Sequence, residues 1–175
     1  EASARIKNKS LVIFSSEHVR DKHFRENHPY KYDNVATKLI RNTFLSSEFA
    51  TDNSIISDYI RNFCTRTYPY VTYPTQPRPT KQFDLLEDIV DGLRDKFPNI
   101  SLVLTCSEDA YKSALSRTPP DYVIFLSSVS RNDLYHIYKM ASACIVSTCY
   151  EASLPWQFLE SLVAGTPAIC YRSEI

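Results

Sequence analysis

Four charged side chains stand out as candidates for chemistry: the cations of Arg78-Pro-Thr-Lys81 and the carboxylates Glu151 and Glu160. Two cations held close together neutralise a diphosphate through charge-assisted hydrogen bonds. Carboxylates accept hydrogen bonds from the hydroxyls of a sugar or a ribose. Between the glutamates, Ser153, Leu154 and Pro155 lead into a helical stretch. Backbone N–H groups at such a helix start favour an anion. The set suits a ligand with phosphates at one end and hydroxylated rings at the other.

Other chemistries are disfavoured. The two glycines, Gly92 and Gly165, form neither a dinucleotide-binding G-x-G-x-x-G nor a phosphate-binding loop. No Ser, Cys or His lies in a nucleophile-elbow sequence. His18, His23, His28 and His136 are scattered. The five cysteines, Cys64, Cys106, Cys144, Cys149 and Cys170, contain no C-x-x-C pair, so buried free thiols are expected and no metal site. Lys+Arg and Asp+Glu are equal at 20 each, so no overall field draws nucleic acid or an anionic membrane. No apolar run is long enough for a membrane span. The start at Glu1 and the end at Ile175, just after a strand-like run, read as cut ends.

The elements that must position these residues alternate regularly after Pro69. The run Pro69-Tyr-Val-Thr-Tyr-Pro-Thr-Gln-Pro-Arg-Pro79 is too rich in proline for a helix or a long central strand. It reads as a joint entering a short strand at 70–73. Helices are expected over 80–97 with Thr80 as N-cap, and over 107–116, 130–141 and 155–164. Ser130 and Asp133 are spaced as a capping box, and Gly165 is placed to end the last helix. Strands are expected at 100–105, 122–126, 143–147 and 167–171, each almost continuously apolar. Apolar strands alternating with amphipathic helices predict a doubly wound parallel sheet of the Rossmann type, an α/β fold. The candidate residues then fall on the loops beyond the carboxyl ends of the strands, where such sheets bind ligands. Residues 1–65 are less regular. They suggest a strand at 11–14, helices at 17–26, 35–45 and 57–64, and a short strand at 54–56, which is too little core to stand alone and suits part of a preceding α/β domain.

The stretch Ser147-Thr-Cys-Tyr-Glu-Ala-Ser-Leu-Pro-Trp-Gln-Phe-Leu-Glu-Ser-Leu-Val-Ala-Gly-Thr-Pro-Ala-Ile169 resembles the donor-site signature of retaining GT-B glycosyltransferases of family four. Arg78…Lys81 resembles that family's Arg…Lys pair. Val129-Ser-Arg-Asn-Asp-Leu-Tyr-His-Ile-Tyr-Lys-Met-Ala141 resembles its Val-Ser-x-x-x-Leu-x-x-x-Tyr-x-x-Ala helix. The matches keep the family's order from 70 to 175. Two departures stand: eight residues separate Glu151 from Glu160, one more than in the family pattern, and Thr105-Cys-Ser replaces a glycine-rich turn.

The resemblance implies an organisation in which 1–65 ends the acceptor-side domain, 66–79 is the linker and first strand, and 80–175 binds a nucleotide sugar. It implies transfer of a sugar from a nucleotide diphosphate to a glycan, lipid-linked or other acceptor, with retention, without metal or further cofactor. In that reading Arg78 and Lys81 stabilise the leaving diphosphate, Glu151 contacts sugar hydroxyls and Glu160 the ribose. Val129 lies near the base, and the amides around Ser153, Leu154 and Pro155 face the phosphates. Polysaccharide or glycoconjugate assembly in the cytoplasm is implied, with room for peripheral membrane contact through an N-terminal part. The alternatives are another GT-B enzyme, such as a nucleotide-sugar epimerase, and a non-catalytic sugar- or nucleotide-binding module.

Overall fold

A computed structural model describes residues 11–14, 17, 21, 36–39, 56–148 and 155–170. These fall into two compact units, 11–39 and 56–170. In the first, β1 (Leu11–Phe14) and β2 (Ala36–Leu39) pair in parallel, with Leu11 opposite Ala36 and Phe14 opposite Leu39. β1 is the strand expected at 11–14. β2 corrects the helix expected over 35–45. A run as short as Ala-Thr-Lys-Leu has no decisive periodicity, and a parallel ladder to an apolar neighbour overrides weak helical preference. Of the helix expected at 17–26 only Glu17 and Asp21 are described, both helical. Ile56 forms a bend rather than the end of a strand.

The second unit is built on a five-stranded parallel sheet. Its strands are β3 (Tyr70–Tyr73), β4 (Ser101–Leu104), β5 (Val123–Phe125), β6 (Ala143–Val146) and β7 (Ala168–Cys170). The spatial order is β5-β4-β3-β6-β7, every pair parallel. The chain therefore runs outward from β3 to one edge, returns past it and runs to the other edge. This is the doubly wound order, with its switch point between β3 and β6.

Among the described residues α1 (Asp58–Thr67) precedes β3, and four helices join the strands: α2 (Phe83–Arg94), α3 (Glu108–Leu115), α4 (Arg131–Met140) and α5 (Trp156–Ala164). Strand side chains alternate between the two faces. Val71, Tyr73, Leu102 and Leu104 pack with Phe83, Leu86 and Val90 of α2 and Tyr111 of α3. Tyr70 and Val103 pack the other way, against Ile60 and Cys64 of α1 and Ile137 of α4. α5 packs on α4 and on β6 and β7. α1, which precedes the joint placed at 65–66, is thus part of this unit's core. Thr72, buried within the sheet, donates its hydroxyl to the Val103 carbonyl at 2.9 Å.

The helix starts show why the chain turns where it does. Ser57, Ser107 and Ser130 each accept from the backbone N–H three residues on, satisfying a donor that the helix leaves open. Gly165 closes α5 at φ 74°, a left-handed conformation that a side chain would strain. One start differs from the sequence expectation. Thr80 is not an N-cap; it lies in a 3-10 turn, Pro79–Lys81, and α2 begins only after Gln82. No helix among the described residues is long and apolar enough to cross a membrane.

Candidate functional site

Lys81 leaves the 3-10 turn at the carboxyl end of β3, and Ser147 and Thr148 follow β6 directly. The sheet order makes β3 and β6 neighbours, so these loops meet at the switch point. The Lys81 ammonium donates to Thr148 Oγ1 at 3.3 Å, and the same oxygen lies 3.0 Å from the hydroxyl of Tyr73. Ser147 Oγ donates to the carbonyl of Lys81 at 2.9 Å and approaches that of Gln82 at 3.4 Å. Ser147 and Thr148 are buried, whereas Lys81 is half-buried. A strand-end pair of hydroxyls therefore clamps the turn that carries the cation.

Gln82 shows what that clamp imposes. Its φ of 42° is left-handed, a conformation that disfavours any residue with a Cβ. Strain of this kind costs about 1–3 kcal/mol and persists only where neighbours over-determine it. Here the Ser147 hydroxyl, at the end of β6, lies against the carbonyls on both sides of the Gln82 Cα. Arg78 sits at the entry to the same turn, exposed, with its carbonyl accepting from Lys81 N at 2.9 Å. The pair expected to face a diphosphate thus shares one turn at the switch point, with Lys81 anchored inward and Arg78 outward.

Glu160 projects from α5 toward α4. Tyr138 donates its phenol to Glu160 Oε2 at 2.8 Å. The carbonyl of Tyr138 in turn accepts from Thr166 Oγ1 at 2.6 Å, which ties the turn after Gly165 to the same helix. Burial pushes the Glu160 carboxyl above the usual carboxylate range, while the Tyr138 hydrogen bond and the nearby Arg131 guanidinium oppose the rise. Burial raises the Tyr138 phenol as well, so it stays a hydrogen-bond donor. Neighbouring Cys144, also pushed up by burial, stays a neutral thiol.

Val129, expected near a base, lies just beyond β5. It lines a recess of about 220 Å³ with Ser57, Ile60, Leu126, Ser128 and Asp133. Pro155 is the N-cap of α5 and offers no side-chain cap. Glu151, Ser153 and Leu154 lie outside the described residues. The structure therefore brings Arg78 and Lys81 together at the switch point, holds Glu160 between α4 and α5, and sets Val129 at the end of β5.

Four partners went unselected in the sequence: Tyr73, Ser147, Thr148 and Tyr138. Two had a signal. Tyr138 is the tyrosine of the Val-Ser…Leu…Tyr…Ala helix, and Ser147 opens the donor-site stretch. Among the described residues no group of His, Cys, Asp and Glu could hold a metal ion.

Residues 61–175 match the glycosyl transferases group 1 family. No curated protein sequence matches the chain. Several solved structures share its fold. Anabaena Alr3699/HepE, in complex with UDP-glucose, is 19% identical, with 94% of this chain and 45% of that one covered at a TM-score of 0.68. The pneumococcal O-GlcNAc transferase GtfA, in complex with UDP and GlcNAc, is 14% identical over 94% of this chain and 30% of that one, at 0.64. S. aureus TarM is 14% identical over 100% of this chain and 31% of that one, at 0.63. The chain spans less than half the length of each. At these identities the likeness is one of fold, the parallel α/β architecture of GT-B glycosyltransferases. The family match takes in more than half of the residues, and the chain belongs to the glycosyl transferases group 1 family.

Proposed function

We propose that this chain is the donor-binding part of a glycosyltransferase that moves a sugar from a nucleotide diphosphate to a glycan or glycoconjugate acceptor, with retention and without a metal ion. The observation that carries the reading is the meeting of the Lys81 turn with Ser147–Thr148 at the switch point of the sheet. That crevice is where open α/β sheets take their ligands. Anchoring by Thr148 and the Ser147 clamp limit the freedom of the Lys81 ammonium before a ligand arrives, so less ordering is needed on binding.

In the reaction the bond from the anomeric carbon to the diphosphate oxygen breaks, and an acceptor hydroxyl oxygen forms the new glycosidic bond as its proton passes to the departing diphosphate. Negative charge grows on the leaving diphosphate. Arg78 and Lys81 stabilise it electrostatically, and the backbone amides of Leu154 and of the first turn of α5 after Pro155 add their dipoles. Glu160 accepts from ribose hydroxyls, Glu151 from those of the transferred sugar, and Val129 lies beside the base. Support for a nucleotide-sugar donor comes from the UDP-glucose and UDP ligands of the similar structures.

Isothermal titration of this chain with uridine diphosphate, with and without a chelator, tests the assignment. Lys81→Ala and Arg78→Ala should each weaken binding about tenfold or more, since a hydrogen bond to a charged group contributes roughly 1.5–3 kcal/mol. The chelator should leave affinity unchanged. If both variants bind every nucleoside diphosphate as tightly as the parent, the turn is only a connection and the reading fails.

A further inference from the structure

We infer that Tyr138 is a positioning residue for donor binding: its phenol holds one oxygen of Glu160 so that the carboxylate meets the ribose hydroxyls oriented and ionised. This rests on the reading of Glu160 given above and adds the group that makes that reading workable. Glu160 lies in a half-buried place between two helices, where burial disfavours its charge. A neutral carboxylic acid accepts poorly and offers one oxygen as a donor, so a ribose with two hydroxyls is recognised best by the ionised form.

The groups around Glu160 divide clearly. From α4 come the Tyr138 phenol, at 2.8 Å, and the Arg131 guanidinium; both favour the carboxylate. From β6 comes Cys144, whose thiol is neutral and supplies no positive charge. Tyr138 makes the one direct hydrogen bond to the carboxylate described here, and it is itself locked. Its side chain is fully buried, and its carbonyl accepts from Thr166 across the turn that ends α5. A fully buried tyrosine thus presents its phenol to Glu160 Oε2 from within the packed interior. A carboxylate has about four acceptor sites; one is taken by Tyr138, and the rest remain for ligand hydroxyls.

Tyr138→Phe removes the donor and keeps the ring, so packing is preserved. Two measurements follow it: the Glu160 carboxyl titrated directly by carbon-13 NMR, and uridine diphosphate affinity by calorimetry from pH 5 to 9. Glu160→Gln and the parent chain serve as controls for both the nucleotide's own titration and the role of Glu160. Loss of the phenol should move the Glu160 titration up by about one pH unit or more. The acid limit of nucleotide binding should move up with it, so that Tyr138→Phe loses most affinity toward pH 5 and binds nearly as the parent does at pH 9. An unmoved Glu160 titration in Tyr138→Phe overturns the inference outright. So does a loss of affinity equal at every pH, which marks a packing defect. If instead Glu160→Gln binds as the parent does, the ribose assignment itself fails; the NMR titration still decides whether Tyr138 sets the charge of Glu160.

Discussion

Glu87 and Glu160 are the same device used to two ends. Each is a glutamate on one helix that accepts a hydrogen bond from a tyrosine on a packed neighbour: Tyr111 of α3 for Glu87 of α2, Tyr138 of α4 for Glu160 of α5. Their second partners differ. Glu87 Oε2 is ion-paired with the Arg117 guanidinium at 2.9 Å, so both its oxygens are engaged and a charge sits beside it. Its clasp closes the face where rings pack in series, Tyr73 on Phe83, Phe83 on Tyr111 and Tyr111 on Phe125, with centroids 5.5, 6.1 and 5.4 Å apart. Glu160 has a phenol at one oxygen and an arginine farther off. A carboxylate saturated by its own protein is a structural clasp, while one held at a single oxygen keeps capacity for a ligand. Position agrees, because Glu87 joins α2 to α3 while Glu160 lies on the helix that leaves β6.

The sharpest way to break this comparison is to remove Glu87. Glu87→Ala strands the buried Tyr111 hydroxyl and frees Arg117 to solvent. Leaving one buried polar group unsatisfied, with loss of the ion pair and its packing, should cost about 2–3 kcal/mol of stability. Urea denaturation should report that loss, and uridine diphosphate affinity at low temperature should be unchanged. An affinity loss without a stability loss would place Glu87, not Glu160, in the ligand's path.

Glu160→Gln should give the converse. The amide can still accept from Tyr138, so stability should change by less than about 1 kcal/mol. Nucleotide affinity should fall about tenfold, corresponding to about 1.4 kcal/mol. If denaturation shows the larger effect for Glu160 as well, the two glutamates are both clasps and the contrast dissolves.

The sequence carried the sheet and singled out the charged groups of the candidate site. Continuous apolar runs and serine caps made β3 to β7 and the helix starts legible, because backbone pattern is written locally. Lys81 was singled out by its charge and its place after β3, and Glu160 by its charge, its helix after β6 and the resemblance to the family's signature. The unread part is three-dimensional. Thr148 and Tyr73 matter only because the doubly wound order sets β6 against β3, and nothing local in either residue reports that adjacency. The strained Gln82 was missed for the same reason. Thr80 satisfies every local rule for an N-cap, yet the Ser147 clamp holds its turn in 3-10 form and delays the helix. β2 was lost because a four-residue run takes its identity from its partner strand.

The smallest expected effect tests how α1 is held to the five-stranded sheet. Asp133, at the start of α4, accepts from the N–H and the hydroxyl of Ser57 at 2.9 Å each, and from the hydroxyl of Ser130 at 2.9 Å. Ser57 caps α1 and Ser130 caps α4, so one carboxylate ties two helix starts together. Burial pushes the Asp133 carboxyl up, but the bonds from Ser57 and Ser130, with His136 nearby, pull it further down, to below the usual aspartate value. A group whose folded value is depressed contributes stability above its unfolded value, near 4, and that contribution is lost as pH falls through the folded value. Asp133→Ala should therefore cost about 1 kcal/mol at neutral pH, discounted for a partly exposed site. The difference from the parent should be flat above about pH 5 and shrink steadily below about pH 4. Asp133→Asn, which keeps acceptor capacity and cannot ionise, should lose less at pH 7 and leave a stability that no longer falls in that acid range on this group's account. Hydrogen exchange gives the decisive reading: amides at the start of α1 should open faster in Asp133→Ala than those of α3, which Asp133 does not touch. Equal acceleration in both helices would mean the loss is global and that α1 is not held to the sheet through this carboxylate.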